Sequence, residues 1–151
     1  MKIIIKSFKE LTISELYQIL QLRSEVFVVE QDCVYQDLDG KDQKSLHLFG
    51  INPEISGDKI IGYTRLFKAG DYFENASIGR VVIDKIARKF GYGHQLMQAS
   101  IKGIETYFNE TIIEISAQKY LQEFYENHGF VFTGNAYLED GIPHIRMIKN
   151  G

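Results

Sequence analysis

The residues best suited to binding chemistry lie in a glycine-bearing segment near the middle of the chain. Residues 78–83 are apolar and rich in β-branched side chains, which predicts a buried strand. The segment Arg88-Lys89-Phe90-Gly91-Tyr92-Gly93 follows after a polar turn. Apolar residues then recur along one helical face, at Leu96, Met97, Ile101, Ile104 and Phe108. Backbone N–H groups at a helix start have no intrahelical partner and glycine lets an anion approach them, so the segment predicts an anion-binding loop.

The residues after Gly93 exclude two familiar phosphate loops. A Walker loop needs Gly-Lys followed by Ser or Thr, whereas His94 and Gln95 follow Gly93. The dinucleotide-binding fingerprint needs a third glycine where this chain has Leu96. The pattern that remains is Arg-x-x-Gly-x-Gly directly after a Val-Val-Ile strand. Because a glycine pair at a helix start is also ordinary turn chemistry, other segments must decide between these interpretations.

An acidic segment, residues 30–42, is the second feature with chemical potential. It could attract a cation, or it could be a solvated turn. Asp37-Leu38-Asp39-Gly40 begins like a calcium-binding loop, but Lys41 follows and no Glu closes the loop, so we expect no metal site. Cys33 has no basic neighbour in sequence that would lower its pKa, and we interpret it as non-catalytic.

Composition limits the class of protein. The 151 residues are 44% apolar and 25% charged, which is typical of one globular domain spanning residues 1–151. With a net charge of −3 and no Lys/Arg block, we expect no nucleic-acid partner. The single cysteine suits a reducing compartment. No signal peptide or membrane span is predicted, so we expect a cytoplasmic protein without membrane contact.

These residues must be positioned by a regular order of strands and helices. Thr12 and Glu15 form a capping-box pair, which predicts a helix running to about Val29. A second helix follows the glycine loop, and a third is predicted over residues 118–128. Strands are predicted over residues 2–8, 46–51, 59–68, 78–83, 111–116, 130–133 and 144–149. This order predicts an α/β (α+β) single domain with a mixed, mostly antiparallel sheet flanked by helices.

This element order and the glycine loop resemble the GNAT superfamily of acyl-CoA-dependent N-acetyltransferases. Residues 118–130 are similar to that family's Asn-x-x-Ala-x-x-aromatic-Tyr-x-x-x-Gly-Phe segment, with Gln118 in place of Asn and Leu121 in place of Ala. Residues 22–42 and the ending Gly141-Ile142-Pro143-His144-Ile145-x-Met147 resemble the ElaA-like subfamily. The resemblance implies acetyl-CoA as the acyl donor, with CoA as product.

The resemblance also implies how the cofactor is held. The pyrophosphate would bind the backbone of the glycine loop, which comprises Arg88, Lys89, Phe90, Gly91, Tyr92, Gly93 and His94. The pantetheine arm would pair with the open edge of the preceding strand, at Val81, Val82 and Ile83. Gln118, at the first position of the later motif, belongs to the same implied cofactor-binding set.

Catalytic roles follow from the same resemblance. Tyr125 would protonate the departing thiolate, although it could instead be one more core aromatic. An alkyl amine with a pKa near ~10.4 must lose a proton before it attacks, so a base is needed as well. Carboxylates and histidines near the expected acceptor cleft are the candidates, with Glu30 and His144 first and then Asp37, Asp39 and His47.

The acceptor side is the least defined part of the hypothesis. Asp37, Asp39 and Arg65 are candidate substrate-binding residues, and an ion pair between Arg65 and a loop acid is an equal alternative. We hypothesise transfer of acetyl to a primary amine, on a small molecule or a peptide, by direct attack in a ternary complex. The alternatives are a non-catalytic acyl-CoA-binding regulatory module and an adaptor that docks a basic partner. The last strands could also pair between chains in a homodimer.

Overall fold

Seven strands and four helices make up the chain, and the computed structural model describes residues 1–151. The strands are β1 (Lys2–Ser7), β2 (Leu46–Ile51), β3 (Ile60–Phe67), β4 (Ser77–Ile83), β5 (Ile113–Gln118), β6 (Val131–Glu139) and β7 (Ile142–Lys149). The helices are α1 (Ile13–Ser24), α2 (Pro53–Ser56), α3 (Tyr92–Phe108) and α4 (Gln122–Glu126). None of these helices has both the length and the apolar character that crossing a membrane requires.

The strands form two antiparallel sheets that touch at one point. The first sheet has the order β1-β2-β3-β4 and the second has the order β5-β7-β6. A single parallel bridge joins Ala76 to Ile113, where the Glu114 N–H donates to the Ala76 carbonyl at 2.8 Å. Beyond this bridge β4 and β5 diverge, so each keeps one unpaired edge. The fold is therefore mostly antiparallel and mixed only at the bridge.

Helices cover both faces of the first sheet. The apolar face of α3 packs Leu96, Met97 and Ile104, all fully buried, into the larger core cluster with Leu48 and Leu66. On the opposite face Ile19 and Leu22 of α1, together with Val26 in the turn that follows it, pack against Phe49, Tyr63 and Val82. Side chains alternate between the two faces of a strand, which is why Leu48 and Phe49 serve different helices.

Helix α1 starts at the predicted cap and ends in an irregular turn. The Glu15 N–H donates to Thr12 Oγ1 at 3.0 Å, and the Thr12 N–H donates to Glu15 Oε1 at 2.9 Å. After Ser24 the helix widens into a π-helical segment, Glu25–Glu30. This segment brings Glu30 and Gln31 to the gap between β4 and β5, and such segments often occur at functional sites.

The C-terminal part differs from the prediction in two places. Strand β6 runs to Glu139, and it forms a hairpin with β7 around Asp140 and Gly141, which both have positive φ. The predicted strand covered only residues 130–133. Gly134 has φ +95° and lies in a β-bulge of this edge strand. Strand β6 is mostly exposed, so pairing of the last strands between chains stays a prediction.

The last helix is shorter than predicted. Gln118 ends β5, residues Lys119–Leu121 form a 3₁₀ turn, and α4 covers only Gln122–Glu126. Gly129 follows with φ +92°, in the left-handed region that glycine favours. The aromatic residues of α4 nevertheless face inward, so the segment positions them as expected.

Candidate active site

A bulge in β4 opens the gap between the two sheets. Tyr63 pairs with Val82 and Arg65 pairs with Gly79, so Arg80 and Val81 together oppose the single residue Thr64. Arg80 has φ +50°, a strained conformation for a residue with a side chain. A bulge of this kind bends its strand and ends regular pairing. The result is a V-shaped separation of β4 from β5.

The separation forms a cleft of about 770 Å³. One mouth lies beside α3 and α4, where Gly93 and Phe124 line it. The other mouth lies on the opposite face of the sheet, between residues 33–41 and the β6–β7 turn. The Cys33 thiol donates to the Asp140 carbonyl at 3.4 Å and joins these two segments. The cleft therefore passes through the molecule from one face to the other.

The wall formed by β4 presents free backbone groups. The Asp84 N–H donates to the Ile61 carbonyl at 2.8 Å, so the backbone of residue 84 faces β3. Because backbone groups alternate along a strand, those of Val81 and Ile83 face the cleft and those of Val82 face β3. The Ile83 carbonyl accepts from Arg88 Nε at 3.1 Å. The Val81 groups and the Ile83 N–H remain available to a ligand, as at any unpaired strand edge.

Tyr125 combines burial with access to the cleft. Its side chain is 6% exposed, and its ring packs edge-to-face on Phe124 and Phe130. It lines the cleft, and no protein group hydrogen-bonds its hydroxyl. Burial, followed by the proximity of Tyr120, raises the pKa of Tyr125. Its phenol therefore stays protonated at neutral pH, as a proton donor must be.

The glycine loop is built as a turn that leads into α3. A 3₁₀ turn, Lys85–Phe90, ends at Gly91, whose φ of +72° is left-handed. A Cβ on Gly93 would lie 3.4 Å from Phe124 Cε1, so a larger side chain there would crowd the cleft. Arg88 and Gly93 line the cleft. The geometry offers the free N–H groups of a helix start at a point where the backbone is bare.

The remaining side chains of the loop point away from the cleft. Tyr92 accepts a hydrogen bond from Asn52 Nδ2 at 2.6 Å and stacks on Phe90. Lys89 is exposed, with its ammonium 5.7 Å from the Phe90 ring centroid. His94 Nδ1 lies 2.9 Å from His128 Nε2, and burial and His94 lower the pKa of His128. Only the backbone of these residues is placed to serve the predicted cofactor role, and the His94 N–H already donates to the Gly91 carbonyl at 3.2 Å.

Glu30 and Arg88 form a two-point ion pair at the cleft. Arg88 Nη1 and Nη2 donate to the two carboxylate oxygens at 2.5 and 2.7 Å. These hydrogen bonds are the main reason that the pKa of Glu30 is lowered and that of Arg88 is raised. A carboxylate with both oxygens occupied and a lowered pKa is a poor proton acceptor. The contacts argue against Glu30 as the base and against a free Arg88 guanidinium for phosphate.

His144 is better placed to accept a proton. Its Nδ1 lies 2.7 Å from the Ile142 carbonyl, which can only accept, so Nδ1 carries the hydrogen. Its Nε2 lies 3.3 Å from a Glu139 carboxylate oxygen, and both residues line the cleft. The imidazole is thus oriented by one neighbour, and an imidazolium would be stabilised by the other. His47, by contrast, is 1% exposed and bonded to Tyr63 and to the Asp42 backbone, away from the cleft.

The acidic loop is neutralised by arginines. Three aspartates pair with three arginines in one buried or half-buried network: Asp37, Asp39, Asp42, Arg23, Arg65 and Arg80. Arg65 is 1% exposed and makes its contacts with Asp39 and Asp42. This arrangement supports the ion-pair interpretation of Arg65 over the acceptor-binding one. Asp37 is likewise saturated by arginines, and Asp39 lines the cleft only as a paired group.

Gln118 lines the cleft as part of an amide pair that the sequence did not indicate. Gln118 Nε2 donates to Gln31 Oε1 at 3.2 Å, and Gln31 Nε2 donates back at 3.3 Å. Cys33, Arg80 and Glu139 also line the cleft without having been candidates. Arg80 did leave a signal, because a charged residue inside an apolar strand requires a buried partner.

Comparison with known proteins identifies the class. Residues 12–150 match the family model described as Acetyltransferase (GNAT) domain, and the chain therefore belongs to the GNAT acetyltransferase family. The predicted superfamily is confirmed, and with it the general activity of an acyltransferase.

Individual relatives place the chain within that family. Protein ElaA of Escherichia coli (strain K12) is 41% identical over 143 residues, covering 93% of this chain and 90% of ElaA. An acyl-CoA N-acyltransferase from Pseudomonas aeruginosa superposes with a TM-score of 0.90 and 39% identity, over 99% of this chain and 100% of that one. The crystal structure of Escherichia coli ElaA gives a TM-score of 0.89 and 36% identity over 99% of both chains. The chain is an ElaA-like GNAT protein, and the predicted fold class is confirmed.

Proposed function

We propose that residues 1–151 form one cytoplasmic N-acetyltransferase domain that moves acetyl from acetyl-CoA to a primary amine. Transfer is direct, within a ternary complex. The observation that carries this proposal is a single cleft lined by both the unbonded Tyr125 hydroxyl and the free edge of β4. A buried phenol with no protein partner, in a cleft between two sheets, is suited to meet a ligand atom.

The cleft fits an acyl-CoA. The left-handed Gly91 and the bare Gly93 leave room for a diphosphate at the helix start, where even a Cβ on Gly93 would contact Phe124. The Val81 carbonyl and the Ile83 N–H suit an amide-bearing arm laid along β4. Since Glu30 holds Arg88, the backbone rather than this guanidinium is the principal phosphate ligand.

Acetyl-CoA, when bound, supplies an acetyl thioester. A backbone N–H on the cleft edge of β4, such as that of Val81, would stabilise the oxygen that becomes negative as the amine attacks; a donor of this kind is worth about 3 kcal/mol. His144 Nε2 accepts the proton that the amine loses, and Glu139 stabilises the resulting imidazolium. Tyr125 Oη donates a proton to the departing sulfur. The rings of Phe124 and Phe130 pack on Tyr125 and hold its phenol in place.

Substitution of Tyr125 tests the reaction. Tyr125→Phe removes only the hydroxyl, so we expect acetyl-CoA affinity to persist while kcat falls about 10²-fold or more. The measurement is thiol release from acetyl-CoA with a panel of amines, together with calorimetric binding of acetyl-CoA. Tyr107→Phe, at an exposed tyrosine of α3, is the matched control and should behave as the wild type.

Two results would contradict the proposal. If Tyr125→Phe retained full turnover, the phenol would not be the acid. If the wild-type protein bound acetyl-CoA tightly but released no thiol with any amine, it would be an acyl-CoA-binding regulatory module. The adaptor hypothesis loses its basis because arginines neutralise the acidic loop.

A further inference from the structure

The mouth of the cleft opposite α3 and α4 carries two cationic side chains that keep free hydrogen-bond donors. Arg80 uses Nε and Nη2 to bind the Asp37 carboxylate and backbone carbonyl at 2.8 and 2.9 Å, which leaves Nη1 without a protein partner. Lys41 lines the same mouth and forms no ion pair, and its ammonium lies 5.8 Å from the Tyr72 ring centroid. The cleft therefore meets one cation from the acidic loop, Lys41, and one from β4, Arg80, whose Nη2 also lies 3.7 Å from the carboxylate of Asp39.

The facing wall has the opposite charge. It is formed by the β6–β7 turn, where Glu139 and Asp140 line the cleft. Glu139 faces His144 Nε2, the proposed proton acceptor, and Asp140 forms no ion pair. A ligand that spans this mouth meets cations on one side and carboxylates on the other. Such a site favours a dipolar molecule over a polycation or a neutral amine.

We propose that the acceptor is an amine that also bears a carboxylate, either an amino acid or a peptide. Its carboxylate binds between Arg80 Nη1 and Lys41 Nζ, while its ammonium faces Glu139 and His144. This inference rests on the proposed function. Arg80 is held in place by Asp37, so its free N–H group is oriented before the substrate arrives. Charge-assisted hydrogen bonds to a carboxylate are among the stronger polar contacts in proteins.

The proton balance agrees with this placement. The bound ammonium first loses one proton to His144 Nε2. The nitrogen then forms its bond to the acetyl carbon as the carbon–sulfur bond breaks, and it loses a second proton. Tyr125 gives its proton to the sulfur and is restored by the second proton from the nitrogen, while His144 releases the first proton to solvent. One proton thus remains on the thiol and the other reaches solvent, with no oxidant or metal required.

Matched amines test the inference directly. Pairs that differ only in the carboxylate are L-lysine with 1,5-diaminopentane and L-phenylalanine with 2-phenylethylamine. We expect kcat/KM to be at least about tenfold higher for the carboxylated member of a pair, chiefly through KM. β-Alanine and O-phosphoethanolamine, which carry a carboxylate and a phosphate, distinguish the two anions, and the first should be preferred.

Reversing a charge at the mouth supplies the second test. Lys41→Glu should lower the ratio of kcat/KM within each pair by about tenfold or more, since it places a like charge beside the carboxylate. Lys44→Glu, at an exposed lysine outside the cleft, makes the same charge change and should leave the ratio unaltered. Circular dichroism and thermal unfolding of both variants show that the fold is kept.

Each outcome decides a different claim. Equal or better turnover of the amines without a carboxylate would overturn the inference and leave the proposed function standing. Preference for the phosphorylated amine would overturn the carboxylate assignment. An unchanged ratio in Lys41→Glu would remove Lys41 from the binding site. Absence of thiol release with every amine would refute the proposed function, and the inference with it.

Discussion

At the scale of single residues, contacts decide which candidates can act. The sequence offered Glu30 and His144 as bases on equal terms. In the structure Glu30 has both oxygens bound to Arg88, whereas His144 keeps Nε2 toward the cleft. No sequence pattern could separate them, because the pairing of Glu30 with Arg88 joins residues 58 positions apart. Reactivity here depends on long-range partners.

Substituting Glu30 tests this distinction. Glu30→Gln should retain turnover, because the residue is not the base. It should also tighten acetyl-CoA binding severalfold, since the released Arg88 guanidinium becomes free to contact phosphate. The pair is partly exposed, so the free energy of unfolding should change by no more than about 1 kcal/mol.

Steady-state kinetics and calorimetry measure both effects of the substitution at Glu30. Glu25→Gln, at an exposed acid of the same π-helical segment, is the control and should change neither. Loss of turnover in Glu30→Gln, with the control active, would restore Glu30 as the catalytic base.

At the scale of elements, the junction of β4 with α3 carries the site. The left-handed Gly91 ends one turn and starts the next, and Gly93 brings bare backbone to the cleft. The turn at the two glycines, and the strand and helix that flank it, could be predicted because glycine placement and apolar periodicity are local properties of the sequence. The adjacent bulge was not predictable, because Arg80 adopts a conformation that its residue type disfavours.

Placing a side chain at Gly93 tests the role of the junction between β4 and α3. Gly93→Val should raise the Kd for acetyl-CoA by at least about tenfold, because its side chain meets Phe124 and covers the helix start. Stability should fall by only about 1 kcal/mol or less, since valine has a higher helix propensity than glycine and this offsets part of the cost of the contact with Phe124. Calorimetric titration and urea unfolding measure the two quantities.

A matched substitution on α3 separates local crowding from helix effects. Gln98→Val places the same β-branched side chain at an exposed position of the same helix. It should leave acetyl-CoA affinity unchanged. Equal losses of affinity in both variants would mean that the helix, rather than the bare backbone at its start, determines binding.

At the scale of the whole molecule, the Asp–Arg network ties the acidic loop to α1, β3 and β4. Asp42 is 7% exposed and bonds Arg23 and Arg65 at 2.7 and 2.9 Å. The sequence showed the acids and suggested Arg65 as one partner, but it did not indicate Arg23 or Arg80, since the arginines come from three separate elements. A cluster that looked like an attractant for cations is a structural brace. Lys41 belongs to none of these pairs, and Arg80 Nη1 keeps a free donor at the cleft although Arg80 is paired with Asp37.

The contribution of the Asp–Arg network to stability can be tested by acid unfolding and by substitution. Burial opposes ionisation of Asp39 and Asp42, but hydrogen bonds and charge from the arginines outweigh it and lower the pKa of each. A lowered folded-state pKa gives stability that is present above the unfolded value near ~3.9. That stability is lost as the pH falls through the folded value, so unfolding should become easier below about pH 4.

Asp42→Asn should reduce the free energy of unfolding by about 3 kcal/mol at neutral pH, because it leaves buried arginines underpaired. The same substitution should flatten the acid dependence of stability. Urea unfolding across a pH series measures both effects. Asp58→Asn, at an exposed turn residue without an ion pair, should do neither. An unchanged acid profile in Asp42→Asn would show that other carboxylates govern acid unfolding.

The two mouths of the cleft, on opposite faces of the sheet, have a consequence for turnover. For the proposed reaction, acetyl-CoA and the amine enter the cleft from opposite faces, so an excess of one substrate does not block binding of the other. The spent thiol and the acylated amine can depart in either order, and a bulky peptide can present its amine without meeting the nucleotide half of the donor.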